Sequence, residues 1–383
     1  MKICHVVGAR PNYMKAAPVT RALRRYSGAE QILVHTGQHY DFNMSDAFFQ
    51  QLGMAAPDIN LKVGSGSHAQ QTADIMVRFE PVVSTEKPDL VVVYGDVNST
   101  VAAALVCAKL GVKVGHVEAG LRSFDRTMPE EVNRVVTDQL ADLLFTPSID
   151  GNVNLASEGI APEKVFLVGN VMIDTLIQML PKTAAYTPPE LPRQYALVTL
   201  HRPSNVDDVN WLKGMLETLT AVSRELTVVF PVHPRTRQRM SELSFSHNGT
   251  LRLLDPLPYL EFLALLRRAS VVITDSGGIQ EETTFLGVPC LTVRDNTERP
   301  ITVELGTNEV VGRDLNHIAA AIEKVLDGNR KPFAVPPLWD GHAGERIADV
   351  ILGNGHVRTA RSGAKELEHA CVSSAHSACS ETE

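Results

Sequence analysis

Short apolar runs alternate with amphipathic stretches along nearly the whole chain. KICHVVG leads into a segment with helical apolar spacing around APVTRALRRY. QILVHTG, DLVVVYGD, KVGHVEAG, LLFTPS and KVFLVGN then each end in turn residues and hand over to helical patterns. Apolar runs without polar alternation are what a parallel sheet covered on both faces requires. Repetition of strand and helix in this order predicts an α/β fold of the doubly wound kind.

The rhythm breaks at LPKTAAYTPPELPRQ (180–194), the most proline-rich stretch, which reads as a linker. It restarts with YALVTL, LTVVFPVH, SVVITDS and PCLTVR. Two Rossmann-like doubly wound domains are therefore expected, 1–170 and 171–341. Such sheets bind ligands outside the carboxyl ends of their strands, so a cleft between the two sets of strand ends is the expected site. The final stretch, 359–383, is small and polar and reads as a disordered tail.

Composition narrows the classes of function. A chain of 383 residues with 44% hydrophobic and 21% charged residues is an ordinary globular protein of more than one core. No apolar run approaches a membrane span, and MKICHVVGAR reads as a first strand rather than a signal peptide, so a cytoplasmic location is expected. The formal charge of −8, with no basic stripe, argues against nucleic acid as a partner. The five cysteines are too scattered for a disulfide framework. His369, Cys371, His376 and Cys379 fit no standard zinc spacing, and no metal is expected.

Candidate chemistry gathers at the ends of the expected strands. DSGGIQEE follows SVVIT and opens a helix, where glycines allow close approach and the first N–H groups lack partners. Ser276, Gly277 and Gly278 there suit a phosphate, and Glu282, one turn further, suits a ribose diol. The bland alternative is a simple helix cap made by Asp275 or Ser276. Neither the G-x-G-x-x-G nor the G-x-x-x-x-G-K-[ST] cradle occurs, and GSGS at 64–67 reads as a loop. Arg10 and Lys15 follow the first strand and suit a diphosphate. Asp96, Glu118 and Glu130 supply carboxylates suited to acid–base work. An N-cap role for Asp96 and a charged first helical turn for Glu130 are the plain readings. His201, His233 and Arg299 also fall just past strands.

Taken together, GARPNYMKAAPV, TGQHYD, YGDVNST, GHVEAGLRS, MPEEVNR, GNVMIDTL, TLHRPSN, DSGGIQEE and RDNTERPITVELGTN closely resemble the non-hydrolysing UDP-N-acetylglucosamine 2-epimerases. The likeness runs from Met1 to about Leu352, with the motifs in the family's order; where the family often has H-R-R-E-N, this chain has HRPSN. The resemblance implies the GT-B arrangement, with a C-terminal helix, about 342–358, returning to the first domain. It implies UDP contacts at Arg10, Ser276, Gly277, Gly278, Glu282 and Arg299, and Lys15, His201 and His233 near diphosphate and sugar. It implies a uracil-facing loop with Leu257 and Phe262, catalytic roles for Asp96, Glu118, Glu130 and His201, and a homodimer. No cofactor is implied, only a UDP-sugar substrate.

Without a nicotinamide site, inversion at C2 is expected to proceed by expulsion of UDP, proton removal at C2 and re-addition through a glycal. A hydrolysing epimerase releasing N-acetylmannosamine, an epimerase of a modified UDP-GlcNAc, a GT-B glycosyltransferase and a nucleotide-sugar sensor remain as alternatives.

Overall fold

A computed structural model describes residues 1–38, 49, 51–186, 191–243, 245 and 250–353. The tail at 359–383 and the end of the expected helix beyond 353 lie outside the described residues. The chain divides into two compact units. One comprises Met1–Asp174 and the segment from Asp340 onward, the other Thr175–Trp339. The boundary falls inside the helix Val171–Met179.

The first unit carries a 7-stranded sheet in the order β3-β2-β1-β4-β5-β6-β7. Its strands are β1 Lys2–Val7, β2 Glu30–His35, β3 Ile59–Asn60, β4 Leu90–Tyr94, β5 Lys113–Val117, β6 Leu143–Thr146 and β7 Val165–Leu167. All neighbours pair parallel, with Ile3 opposite Leu90 and Leu90 opposite Lys113. The run LVVVY is buried at every position, because helices cover both faces of a central parallel strand. Small residues let helices approach closely. The helix Asn98–Leu110 buries Val101 through Ala104 against the sheet and ends at Gly111 in the left-handed conformation.

The second unit carries a 6-stranded parallel sheet, β10-β9-β8-β11-β12-β13. The strands are β8 Tyr195–Thr199, β9 Thr227–Pro231, β10 Leu251–Leu254, β11 Val271–Thr274, β12 Cys290–Thr292 and β13 Asn308–Val310. Its core gathers Val198, Val228, Phe230 and Ile273 from the strands with Leu212, Leu216 and Ile322 from the helices. In both units the strand order reverses beside the first strand, between β1 and β4 and between β8 and β11. Loops on the two sides of such a point diverge and leave room for a ligand.

Sequence patterning identified the central strands; β3, β10 and β13 were not foreseen. All three are sheet edges with short, mixed sequences, IN, LRLL and NEV. The loop GSGS is followed by the helix His68–Glu86, whose start is capped by Ser67 accepting from Gln70 N at 3.2 Å. Among the described residues no helix is long and apolar enough to cross a membrane. Cys4, Cys107 and Cys290 are free, buried thiols.

The chain returns to the first unit through the helix Ala343–Leu352, packed on the helix Arg10–Leu23. Asp174 holds its start: Oδ1 accepts from Ala343 N at 3.1 Å and Oδ2 from Gly344 N at 2.7 Å. Tyr26 donates to Asp349 at 2.8 Å further along. Burial pushes the Asp174 carboxyl up to about 6, against the opposing pull of the two amide bonds. Its ordinary value is 3.8, so the folded chain holds this proton more tightly than the unfolded one. Stability should therefore fall as pH rises between those two values and level off above them. Asp174→Asn should flatten this slope. Asp174→Ala should destabilise the first unit by about 1–2 kcal/mol by orphaning two amides. Urea unfolding across the pH window checks both.

Candidate active site

In the first unit the site is assembled where β1, β4 and β5 end. Asn12 ties the first two ends together. Its Oδ1 accepts from Gly8 N and Ala9 N at 3.1 and 3.0 Å, and its amide donates to the Tyr94 carbonyl at 2.7 Å. Arg10 opens the helix that follows and is half-buried. Lys15, in the same helix, is only 7% exposed and is ion-paired with Glu118, itself 8% exposed. So Lys15, which the resemblance puts near the diphosphate, engages a carboxylate of its own unit. Two buried opposite charges of this kind compensate each other's loss of water. Gly95 makes room for the pair: its φ is +64°, and a Cβ there would lie 2.6 Å from Lys15 Nζ.

Asp96 does not cap a helix. The helix Asn98–Leu110 begins at Val97 with no side-chain cap, while Asp96 Oδ2 accepts from Arg134 Nε and Nη2 at 3.0 and 2.6 Å. Arg134 lies one turn beyond Glu130 on the helix Pro129–Leu140 and also binds Glu131 Oε2 at 2.6 Å. The tandem acids of MPEEVNR thus separate in role. Glu131 is buried and accepts from Ser123 N and Phe124 N, closing the preceding loop. Glu130 stays half-buried in the first turn. Arg134 and Glu131 were not singled out from sequence; the three-residue spacing of Glu131 and Arg134, which do pair, was the available signal.

In the second unit Asp275 follows β11, is completely buried, and is met by the segment that follows β8. Its carboxylate accepts from His201 N, Arg202 N and Asn205 Nδ2 at 3.0, 2.9 and 3.2 Å, and pairs with His201 Nδ1 at 2.8 Å. Burial alone would raise its pKa, but the bonds from His201 and from the loop amides outweigh it and hold the carboxyl below the usual range. With Nδ1 turned to Asp275, His201 presents Nε2 outward. The rings of His201 and His233 lie 6.3 Å apart, so these two histidines of successive strand ends are neighbours.

The helix Gly277–Leu286 starts without a side-chain cap: Ser276 occupies the cap position in extended conformation, and its hydroxyl makes no capping bond. The cap reading therefore fails for both Asp275 and Ser276, and Gly277 and Gly278 open the helix behind an uncapped end. Arg299, 6% exposed, packs against this end. A Cβ on Gly277 would lie 2.4 Å from Arg299 Nη1. Arg299 pairs with Glu281 and Glu298 at 2.8 and 2.6 Å, and Glu298 pairs with Arg294 at 2.8 Å. Arg202 approaches Glu298 at 3.6 Å. Three guanidinium groups thus surround two carboxylates beside a helix N-terminus, an arrangement with affinity for an anion.

Glu282, one turn along, is 3% exposed and accepts from Tyr259 Oη at 2.8 Å. Tyr259 begins the helix Tyr259–Leu266, which carries Phe262 and follows Leu257, both half-buried. One phenol therefore links the Leu257–Phe262 segment to Glu282, a link invisible in the sequence. Among the described residues no three His, Cys, Asp or Glu side chains group as a metal site.

The family described as UDP-N-acetylglucosamine 2-epimerase matches residues 21–352. The UDP-N-acetylglucosamine 2-epimerase of Methanococcus maripaludis is 41% identical over 365 residues, covering 92% of this chain and 98% of that one. The UDP-2,3-diacetamido-2,3-dideoxy-D-glucuronate 2-epimerase of Pseudomonas aeruginosa is 44% identical over 360 residues, covering 92% and 99%. The crystal structure of Methanocaldococcus jannaschii UDP-GlcNAc 2-epimerase in complex with UDP-GlcNAc and UDP aligns with a TM-score of 0.84 at 41% identity. That alignment covers 93% of this chain and all of the other, and it supports a GT-B-like α/β class.

The geometry at Gly95 is directly testable. Gly95→Ala should cost at least about 1 kcal/mol from its left-handed backbone alone and should displace the Lys15 ammonium. A lowered melting temperature together with unchanged secondary structure is the expected result.

Proposed function

Because the chain belongs to the UDP-N-acetylglucosamine 2-epimerase family, we propose that it interconverts UDP-N-acetylglucosamine and UDP-N-acetylmannosamine without net hydrolysis. The observation that carries this reading is the uncapped start of helix Gly277–Leu286 with Arg299 packed beneath Gly277, a cradle for a diphosphate that must leave and return.

The reaction follows from what the residues can hold and move. Ser276, Gly277, Gly278, Arg10 and Arg299 grip the diphosphate, Glu282 takes the ribose, and Leu257 and Phe262 border the uracil. Lys15 and His233 serve the diphosphate and sugar. The C1–O bond breaks with its electron pair going to UDP, a carboxylate removes the C2 proton, and a C1=C2 double bond forms. A second acid then delivers a proton to the opposite face of C2 while UDP oxygen re-attacks C1. Asp96, Glu118 and Glu130 share the proton transfers, with His201 near the leaving phosphate. Carboxylates suited to such transfers are commonly worth about 10²–10⁴-fold in rate.

A second reading has specific support. The Pseudomonas aeruginosa relative is named for a diacetamido uronate sugar at 44% identity, so a UDP-sugar modified at C3 and C6 is an alternative substrate. We further propose that the enzyme works in the cytoplasm as a homodimer, in line with the family resemblance.

Turnover in heavy water tests the reading. UDP-N-acetylmannosamine carrying deuterium at C2 is the expected product, and accumulation of free N-acetylmannosamine would show hydrolysis instead. Asp96→Asn, Glu118→Gln and Glu130→Gln should each lower turnover by about 100-fold or more. Near-normal rates in all three would remove the assignment.

A further inference from the structure

Two segments of the first unit that carry candidate acids are joined by a third carboxylate. Asp138, on the helix Pro129–Leu140, is completely buried. Its Oδ1 lies 2.6 Å from His116 Nδ1, and its Oδ2 accepts from Gly120 N at 3.1 Å. His116 and Gly120 stand two residues before and two residues after Glu118. From its other side His116 Nε2 donates to the Gly95 carbonyl at 2.9 Å, on the peptide that leads into Asp96. One carboxylate therefore holds the turn bearing Glu118 at both ends and, through one imidazole, the approach to Asp96.

Glu118 requires such holding. Its φ of 73° lies in the left-handed region, which is strained for a residue with a side chain and persists only where the surroundings fix it. Asp138 is itself held. Arg122 Nη2 pairs with its Oδ2 at 2.7 Å, and Arg122 also grips Glu158 through Nε and Nη2, both at 2.7 Å. Burial acts to raise the Asp138 pKa, but His116 and Arg122 overcome it and keep the carboxyl below its ordinary value.

We propose that Asp138, acting through His116 and Gly120, is a positioning residue that fixes where the Asp96 and Glu118 carboxylates stand for proton transfer. The inference rests on the reading of those two acids as the proton-transferring groups. A buried ionic network serving stability alone would change the amount of folded enzyme and leave the chemistry of each folded molecule untouched.

Asp138→Asn keeps the volume and one acceptor but loses the charge and the paired hold on both ends of the turn. Misplacement of reacting groups by on the order of 1 Å can cost about 100-fold. In folded Asp138→Asn enzyme, kcat should therefore fall by about 10–100-fold while KM for the UDP-sugar stays within about threefold. Its crystal structure should show the Glu118 or Asp96 carboxylate displaced from its wild-type place. His116→Gln cuts the relay to Gly95 while leaving Asp138 on Gly120. It should give a smaller fall in kcat, and it stands in if Asp138→Asn does not fold. Folded variant with wild-type kcat, a rise in KM that accounts for the whole loss, or both carboxylates unmoved would overturn the proposal. If the wild-type enzyme places no deuterium at C2, the functional reading fails, and the variant's crystal structure still decides whether Asp138 holds the two segments.

Discussion

The reversal of strand order beside the first strand of each parallel sheet is the constraint on which the rest depends. A parallel sheet must send every strand's carboxyl end to the same edge, and helices on both faces leave that edge as the open place for polar groups. At β1 and β4 the neighbouring loops carry Arg10 and Asp96, with Glu118 following β5. At β8 and β11 they carry His201, Arg202 and the DSGGIQEE turn. The candidate site residues therefore gather at the edge where backbone N–H groups and charged side chains are not already committed to the sheet.

The two units use that edge differently. The first is a place of compensated negative charge: Glu118 is paired with Lys15, Asp96 with Arg134, and Glu131 with Arg134 and two loop amides. The second gathers three guanidinium groups, Arg202, Arg294 and Arg299, with Glu281 and Glu298 beside an open helix start, while the adjacent Asp275 carboxylate is taken up by His201 and loop amides. A cation beside each carboxylate compensates the cost of holding that charge at a partly dehydrated strand end. An uncapped helix start with guanidinium groups beside it is suited to a leaving group that carries several negative charges. The division of labour in the proposed reaction follows these two electrostatic characters.

Much of the architecture was legible because apolar runs such as LVVVY and VVIT can be buried on both sides only within a parallel sheet. The edge strands IN, LRLL and NEV carried no such mark, since an edge is half-solvated and tolerates mixed sequence. At the site, residues belonging to motifs just past strands were readable. Groups that act across the fold were not: Asp138 is 18 residues from the Gly120 amide it accepts from, Arg134 is 38 from Asp96, and Asp275 is 74 from His201. The plausible local roles of Asp96 and Asp275 as helix caps failed for the same reason. A capping bond is a contact within one turn, and here a distant partner offered the carboxylate a stronger interaction.

The returning helix Ala343–Leu352 makes the first unit discontinuous along the chain. Its start is held by Asp174 and its length lies on the helix Arg10–Leu23, so one piece of the amino-terminal unit is the last described part to leave the ribosome. The usual order of synthesis, in which an amino-terminal domain matures first, is thereby inverted. The intervening unit, continuous from Thr175 to Trp339, can mature during translation, whereas its predecessor must wait, with the groove for its returning helix uncovered, until Ala343–Leu352 has been made.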